Sequence, residues 1–405
     1  MNERSLAVWT FAAASLLALG CKKGEAGAEK KASALSEPEI KIGQTMPYSG
    51  PASVYGTIGK LEAAYFKKIN TTKGGVGGRK INLISVDDGY SPPKAVEQAR
   101  KLVEQDQVLL LFQPLGTPSN VAIQDYLNTK KVPQLFAATG ATRLGDPEHH
   151  PWTMGFNPSY QLEGSMVAKQ ITTKQPGAKI AVLYQNDDYG KDYLKGLKTG
   201  LADNAKMIVA EATYEVSDPT VDSQIATLKA SGADTFVNIA TPKFAAQAIR
   251  KAYDIGWKPT QYLNNISASV GTVLTPAGLD KSVGLVTVAY YKDPVDKQWD
   301  DDPAMKEWRT FMKEYYPEGS LTDNINVYAY IVAQTMVQVL TQCGPDLSRE
   351  NIMKQAANLD FAPDLLLPGI KLKTSPTDFF PVEQLRFVRF DGKDWVLFGD
   401  VLSVN

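Results

Sequence analysis

From Ile40 to Tyr253 the sequence repeats one unit, a short apolar run followed by a segment of helical periodicity, in two consecutive sets. In the first set, strands are expected over 40–46, 81–86, 108–112, 132–138 and 152–156. Helices are expected over 56–70, from Ser91-Pro92-Pro93 to Val103, and from Thr117 through Leu127. The second set places helices over 161–172, 188–201, 221–230 and 243–253, and strands over 179–184, 207–213 and 235–239. Continuous apolar runs such as Val108–Phe112 are typical of strands buried on both faces. Repeated βα units require right-handed crossovers, a parallel sheet and helices on both faces. Two sets predict two such lobes, and 405 residues suffice for both. The last third differs, with a polar loop over 293–303, helices over 304–315 and 324–340, and a terminal hairpin turning at Asp391-Gly392.

Composition narrows the function. Lys and Arg total 43 against 44 Asp and Glu, so no global basic field exists to hold nucleic acid. Two histidines and two cysteines argue against zinc sites, iron–sulfur clusters and disulfide scaffolds. No Gly-x-Ser-x-Gly elbow, P-loop, His-Glu-x-x-His or Cys-x-x-Cys is present, which argues against an enzyme. His149-His150 reads as part of a polar loop and Asp300-Asp301-Asp302 as a solvated run, so no metal and no cofactor is expected. The Gly74–Gly78 cluster precedes a strand, the reverse of a dinucleotide loop.

The N-terminus reads as an address. An apolar run from Leu6 to Leu19, shorter than a membrane span, follows Arg4. Ala18-Leu19-Gly20-Cys21 resembles a bacterial lipoprotein box, which implies lipidation of Cys21 and a signal segment over 1–21. Residues 22–38 read as a flexible tether. Cys343, then unpaired, reads as a small buried hydrophobe near a helix end before Gly344-Pro345.

Several motifs, in this order and spacing, resemble the type I periplasmic solute-binding proteins of ABC transporters, in the branched-chain amino acid (Leu/Ile/Val-binding) group. They are Ser49-Gly50-Pro51 with Tyr55-Gly56, Gly74-Gly75-Val76-Gly77-Gly78-Arg79-Lys80, Asp87-Asp88, Val96 to Leu102, Asn186-Asp187-Asp188-Tyr189-Gly190 and Ala248-Ile249-Arg250 to Gly256. The resemblance implies an α/β fold of two doubly wound parallel-sheet lobes joined by a three-strand hinge. One lobe would take 39–157 plus 288–376, the other 158–287 plus 377–405. It also implies a small organic carboxylate or amino acid as ligand, permease and ATPase subunits as partners, and no catalytic residues. A monomer, lipid-anchored to a bacterial membrane at the periplasmic or cell-surface side, is the corresponding expectation. A sensor ectodomain on the same fold is the rival, although no apolar run of 18 residues leads to a signalling domain.

The resemblance also implies a site. Ligands of open α/β sheets lie beyond the carboxyl ends of the strands. Gly116 and Thr117 begin the helix after the third strand, with Thr117 expected as its cap and Pro118 as its first residue. Free N–H groups there suit an anion. Ala138 and Thr139, from a segment similar to the family's Ala-Ala-Thr, would complete a carboxylate site. Tyr55 and Tyr189 would wall the ligand, with Thr241 and Asn265 facing it from the second lobe. Relatives pair an amino acid's ammonium with an acid after the second lobe's later strands. Here Gln261–Ser269 offers Asn264, Asn265, Ser267 and Ser269, and no Asp or Glu lies between Ile255 and Leu279. The loop Ala240-Thr241-Pro242 also lacks the aromatic pair of some relatives. An unpaired ammonium is costly to bury, so a carboxylate without an amine, or a neutral amide or alcohol, is expected to fit better. Asp187, Asp188 or Asp222 could supply the charge from a neighbouring loop.

Overall fold

The computed structural model describes residues 39–403. The expectations for the signal segment, the tether and Cys21 lie outside the described residues. The first sheet holds β1 (Ile40–Met46), β2 (Ile81–Asp87), β3 (Leu110–Phe112), β4 (Gln134–Ala137) and β5 (Thr153–Gly155). All its pairings are parallel and its order is β2-β1-β3-β4-β5. The second sheet holds β6 (Ile180–Gln185), β7 (Ile208–Tyr214), β8 (Thr235–Ile239), β9 (Thr260–Leu263) and β10 (Val286–Ala289) in parallel. A small ribbon of β11 (Asp360–Phe361) and β12 (Leu372–Lys373) follows. The hairpin β13 (Gln384–Phe390) and β14 (Trp395–Ser403) then joins β10 antiparallel, giving the order β14-β13-β10-β9-β8-β6-β7. The parallel parts share one topology, with the first and third strands of each set adjacent and the second outside. Such an order splays the loops after the first and third strands apart and opens a crevice between them.

Helices cover both sheets. α1 (Gly56–Lys73), α2 (Pro92–Glu104) and α3 (Thr117–Thr129) belong to the first lobe, and α4 (Tyr160–Lys174), α5 (Asp188–Leu201), α6 (Asp222–Ala230) and α7 (Pro242–Asp254) to the second. The short α8 (Thr275–Ala277) precedes β10. α9 (Pro303–Tyr315), α10 (Asn324–Cys343) and α11 (Arg349–Ala356) follow it. α10 is the most buried of the long helices, with Val327, Ala329, Ile331, Val332, Ala333 and Met336 fully enclosed, and it packs on α1. A helix apolar all round belongs in a core. It ends at Cys343, a buried thiol whose pKa burial pushes up to about 11, so it is an inert packing group.

The segments without clear periodicity hold β9, β10 and α11, which the sequence reading leaves unassigned. β9 and β10 have four residues each, too short for an alternation to register.

Candidate functional site

A cavity lies where the carboxyl ends of the two sheets face each other, with about 630 Å³ of space, part of it continuous with solvent. Its walls come from the loops just after the strands. Tyr55 follows β1, Tyr90 follows β2, Gly116 and Thr117 follow β3, Ala138 follows β4, and Asn157 and Tyr160 follow β5. From the second lobe Tyr189 follows β6, Thr241 follows β8, Asn265 and Ile266 follow β9, and Tyr290 and Tyr291 follow β10. The first two turns of α10 close one side with Asn324, Ile325 and Tyr328.

Seven of the eight expected site residues line this cavity: Tyr55, Gly116, Thr117, Ala138, Tyr189, Thr241 and Asn265. Thr139 does not. Its hydroxyl lies behind the wall, 2.7 Å from the Thr117 hydroxyl, and accepts the Ala141 N–H at 3.1 Å. Thr139 therefore orients Thr117. Thr117 is also not the cap expected of it. α3 begins at Thr117, Gly116 is the cap, and no side chain caps the helix. Gly116 has φ +96°, and a Cβ there would lie 2.5 Å from the Tyr90 ring, so glycine is required by both backbone and space. A helix start without a side-chain cap leaves its first N–H groups for another acceptor.

Tyr160 and Tyr189 stand at the first turns of α4 and α5, with ring centres 4.9 Å apart. The two helices touch along their length, because a Cβ at Gly196 would fall 2.3 Å from the Gln161 backbone. Among the described residues the buried Tyr189 hydroxyl has no hydrogen-bond partner, and neither does Asn265 Nδ2. Tyr328 is fixed, donating to Asn157 Oδ1 and accepting from Gln113 Nε2, both at 2.7 Å. Thr241 is held by Tyr214, whose hydroxyl accepts its N–H at 2.9 Å.

The loop after β9 sorts its polar residues. Asn264 Nδ2 donates to the carbonyls of Asn238 and Ala240, both at 2.9 Å, and Ser267 donates to Ala240 at 2.6 Å. Ser269 donates to Asp323 Oδ1 at 2.8 Å. Only Asn265 of this set faces the main cavity.

Among the described residues the cavity wall carries no Asp, Glu, Lys, Arg or His, and seven of its residues are tyrosines. The acids stand behind it. Glu163 Oε1 accepts the Asn265 N–H at 2.7 Å and the Tyr193 hydroxyl at 3.3 Å, and burial pushes its carboxyl up to about 8. Asp187 caps α5 through the N–H groups of Tyr189 and Gly190, and burial raises its pKa. Asp188 is exposed, and Asp222 pairs with Lys251 at 3.2 Å. None of the three neighbouring aspartates named from sequence therefore lies on the wall.

The lobes touch across the cleft. The Tyr55 hydroxyl donates to the Ile266 carbonyl at 3.1 Å, Ser269 reaches Asp323, and the Thr142 N–H and hydroxyl both reach Asp192 Oδ2 at 2.8 Å.

Sequence reasoning missed Tyr90, Asn157, Tyr160, Tyr290, Tyr291, Asn324 and Tyr328. One signal was available, since 18 tyrosines against 14 phenylalanines is a polar bias among the aromatics. It does not say which of them face the cleft.

The family model described as periplasmic binding protein matches residues 39–394. The "Leu/Ile/Val-binding protein homolog 7" of Brucella abortus (strain 2308) is 25% identical over 341 residues, covering 81% of this chain and 82% of the relative. A branched-chain amino acid ABC transporter structure from Thermus thermophilus with bound valine is similar at TM-score 0.81 and 16% identity, covering 91% of this chain and 97% of that one. A fatty acid ABC transporter substrate-binding protein from Thermomonospora curvata is similar at TM-score 0.75 and 22% identity, covering 91% and 93%. Two facing α/β lobes with a cavity at their strand ends define a solute-capturing protein, and the chain belongs to the periplasmic binding protein family. It is an extracytoplasmic substrate-binding protein of the type I fold, and its family is one of binding proteins rather than enzymes.

Proposed function

We propose that the cavity captures a small carboxylate that carries no α-ammonium, between two lobes that close on it. The observation that carries this reading is the uncharged wall with unpartnered donors, Tyr189 OH and Asn265 Nδ2. The α3 N-terminus, with the N–H groups after Gly116 and the Thr117 hydroxyl, receives the carboxylate, Thr139 acts by orienting Thr117, and Ala138 only walls the site, because its N–H donates to the Pro114 carbonyl at 2.9 Å. An anion needs no cation there, because helix N–H groups and hydroxyls stabilise it. Tyr55 and Tyr189 offer flat apolar faces to the rest of the ligand. Thr241 and Asn265 supply polar contacts from the second lobe. An α-ammonium would meet no carboxylate on the wall, and burial behind Asn265 favours the neutral form of Glu163 by raising its pKa.

Branched-chain amino acid binding is the second reading, favoured by the names of the relatives. Similar structures are described with bound valine and as a fatty acid substrate-binding protein.

In this reading residues 39–157 and 288–376 move as one lobe and 158–287 and 377–405 as the other. The protein acts as a monomer, lipid-anchored through Cys21, and hands its ligand to permease and ATPase subunits. A thermal-shift screen of amino acids, branched acids, aromatic acids and amides tests the ligand class. A bound ligand stabilises by about 2.7 kcal/mol at 100 Kd, so binders stand out. Carboxylates without an amine are expected to raise the melting temperature most. A rise confined to α-amino acids would overturn the reading.

A further inference from the structure

A second, smaller chamber adjoins the main cavity. Asn265, Tyr290, Tyr291 and Asn324 are walls of both. Beyond them the character changes, because Asp293 and Asp296 line the second chamber together with the aromatic rings of Trp299 and Trp395. Asp293 accepts from the Val295 N–H at 3.0 Å and from Asn324 Nδ2 at 3.1 Å. Asp296 accepts from the Gln298 N–H at 3.0 Å and from the same residue's side chain. Among the described residues neither carboxylate forms a salt bridge. Lys292, beside Asp293 in sequence, is engaged with Asp302 Oδ2 at 2.7 Å and the Asp364 carbonyl at 2.8 Å, and Lys297, beside Asp296, is exposed and forms no salt bridge with it.

A second observation is independent of the acids. Thr287 of β10 lines the chamber, is 1% exposed, and its hydroxyl has no hydrogen-bond partner among the described residues. A buried hydroxyl without a partner costs stability, and here it adjoins empty space. Lys292 Nζ already lies 5.2 Å from the centre of the Trp299 ring, so two carboxylates, an idle hydroxyl and the Trp395 face make the environment for a further cation that donates hydrogen bonds.

We propose that this chamber receives the far end of the ligand and that this end is an ammonium, so the cleft is built for an ω-amino carboxylate. The proposal rests on the carboxylate reading and names the substrate class within it. The carboxylate lies at the start of α3 and the chain passes the tyrosines shared by both chambers. The ammonium then reaches Asp293 and Thr287. A raised Asp293 carboxyl, pushed up to about 7 by burial, fits an acid that awaits its counter-charge. Placing the amine at the α-carbon would instead leave it against the uncharged wall.

The test is calorimetric titration of the wild-type protein, refolded free of ligand. The ligands are 4-aminobutanoate, 5-aminopentanoate and 6-aminohexanoate, their unsubstituted parents, and 2-aminohexanoate. At one of these lengths the ω-amino acid is expected to bind at least tenfold more tightly than its parent. 2-Aminohexanoate is expected to bind more weakly than hexanoate. In D293N, checked for folding by its melting curve, the ω-amino advantage is expected to fall to about one. Equal binding of each ω-amino acid and its parent would overturn the proposal while leaving the carboxylate reading in place. An advantage that survives in D293N would overturn the assignment of the chamber. Failure of every carboxylate to bind would overturn the carboxylate reading itself and the proposal with it. The comparison of positional isomers in wild type stands even if D293N does not fold.

Discussion

Glu163→Gln isolates the buried acid behind the cavity. Glu163 is 1% exposed, and its Oε1 holds the Asn265 N–H at 2.7 Å. Burial raises its pKa from 4.5 to about 8, against the lowering effect of the Asn265 and Tyr193 hydrogen bonds. An acid raised in this way keeps its proton in the folded protein after the unfolded chain has lost it. Stability from this group is therefore highest below pH 4.5 and falls as pH rises to about 8. At about 1.36 kcal/mol per unit, the ceiling is about 4–5 kcal/mol, and relaxation around the ion brings the expected loss to about 2–4 kcal/mol. Glutamine keeps the acceptor for Asn265 and does not titrate. Urea unfolding at pH 5, 6, 7 and 8.5 reads the effect as the difference between wild type and variant, which cancels the other buried acids. Glu163→Gln is expected to gain about 2–4 kcal/mol relative to wild type between pH 5 and pH 8.5. A difference that stays constant over that range would refute the account of this carboxyl.

Three further outcomes are expected. Gly116→Ala sets a methyl 2.5 Å from the Tyr90 ring at φ +96°, and it should cost about 2–4 kcal/mol in urea unfolding, with unchanged stability counting against the close approach. Ser269→Ala removes the interlobe bond to Asp323, of the order of 1.5–3 kcal/mol for a charged acceptor, and should shift the lobes about ten- to a hundredfold towards the open arrangement. Small-angle scattering of the ligand-free variant would show this as a larger radius of gyration than wild type, and an identical radius would contradict it. Cys21→Ser should release the protein from membranes, and membrane fractionation like that of wild type would contradict the lipid anchor.

The βα repeat was legible because each unit is local. A strand's apolar run and a helix's periodicity are written in consecutive residues, so Asp188–Leu201 and Thr235–Ile239 form where the sequence places them. Family motifs brought Tyr55, Gly116, Thr117, Ala138, Tyr189, Thr241 and Asn265 to one cavity for a topological reason: each follows a strand's carboxyl end. What was not legible depends on contacts between distant segments. Thr139 and Thr117 are 22 residues apart, and only their 2.7 Å contact shows that one orients the other. Asn264 and Asn265 are adjacent and chemically identical, yet one pins the backbone after β8 and the other faces the cavity. Tyr160, Tyr290 and Tyr328 could equally be core aromatics by local pattern. Tyr160 and Tyr290 reach the cavity because each follows a strand's carboxyl end, and Tyr328 because the first turns of α10 close one side of it.

In the proposed function the cavity holds the ligand's carboxylate and offers no partner for an α-ammonium. Titrating 4-methylpentanoate and leucine, then 3-phenylpropanoate and phenylalanine, into protein refolded free of ligand compares each acid with its α-amino counterpart. The uncharged wall predicts that each deaminated acid binds more tightly, by roughly tenfold or more where the ammonium is fully desolvated. Tighter binding of leucine or phenylalanine than of its deaminated partner would contradict it and establish the branched-chain amino acid reading instead.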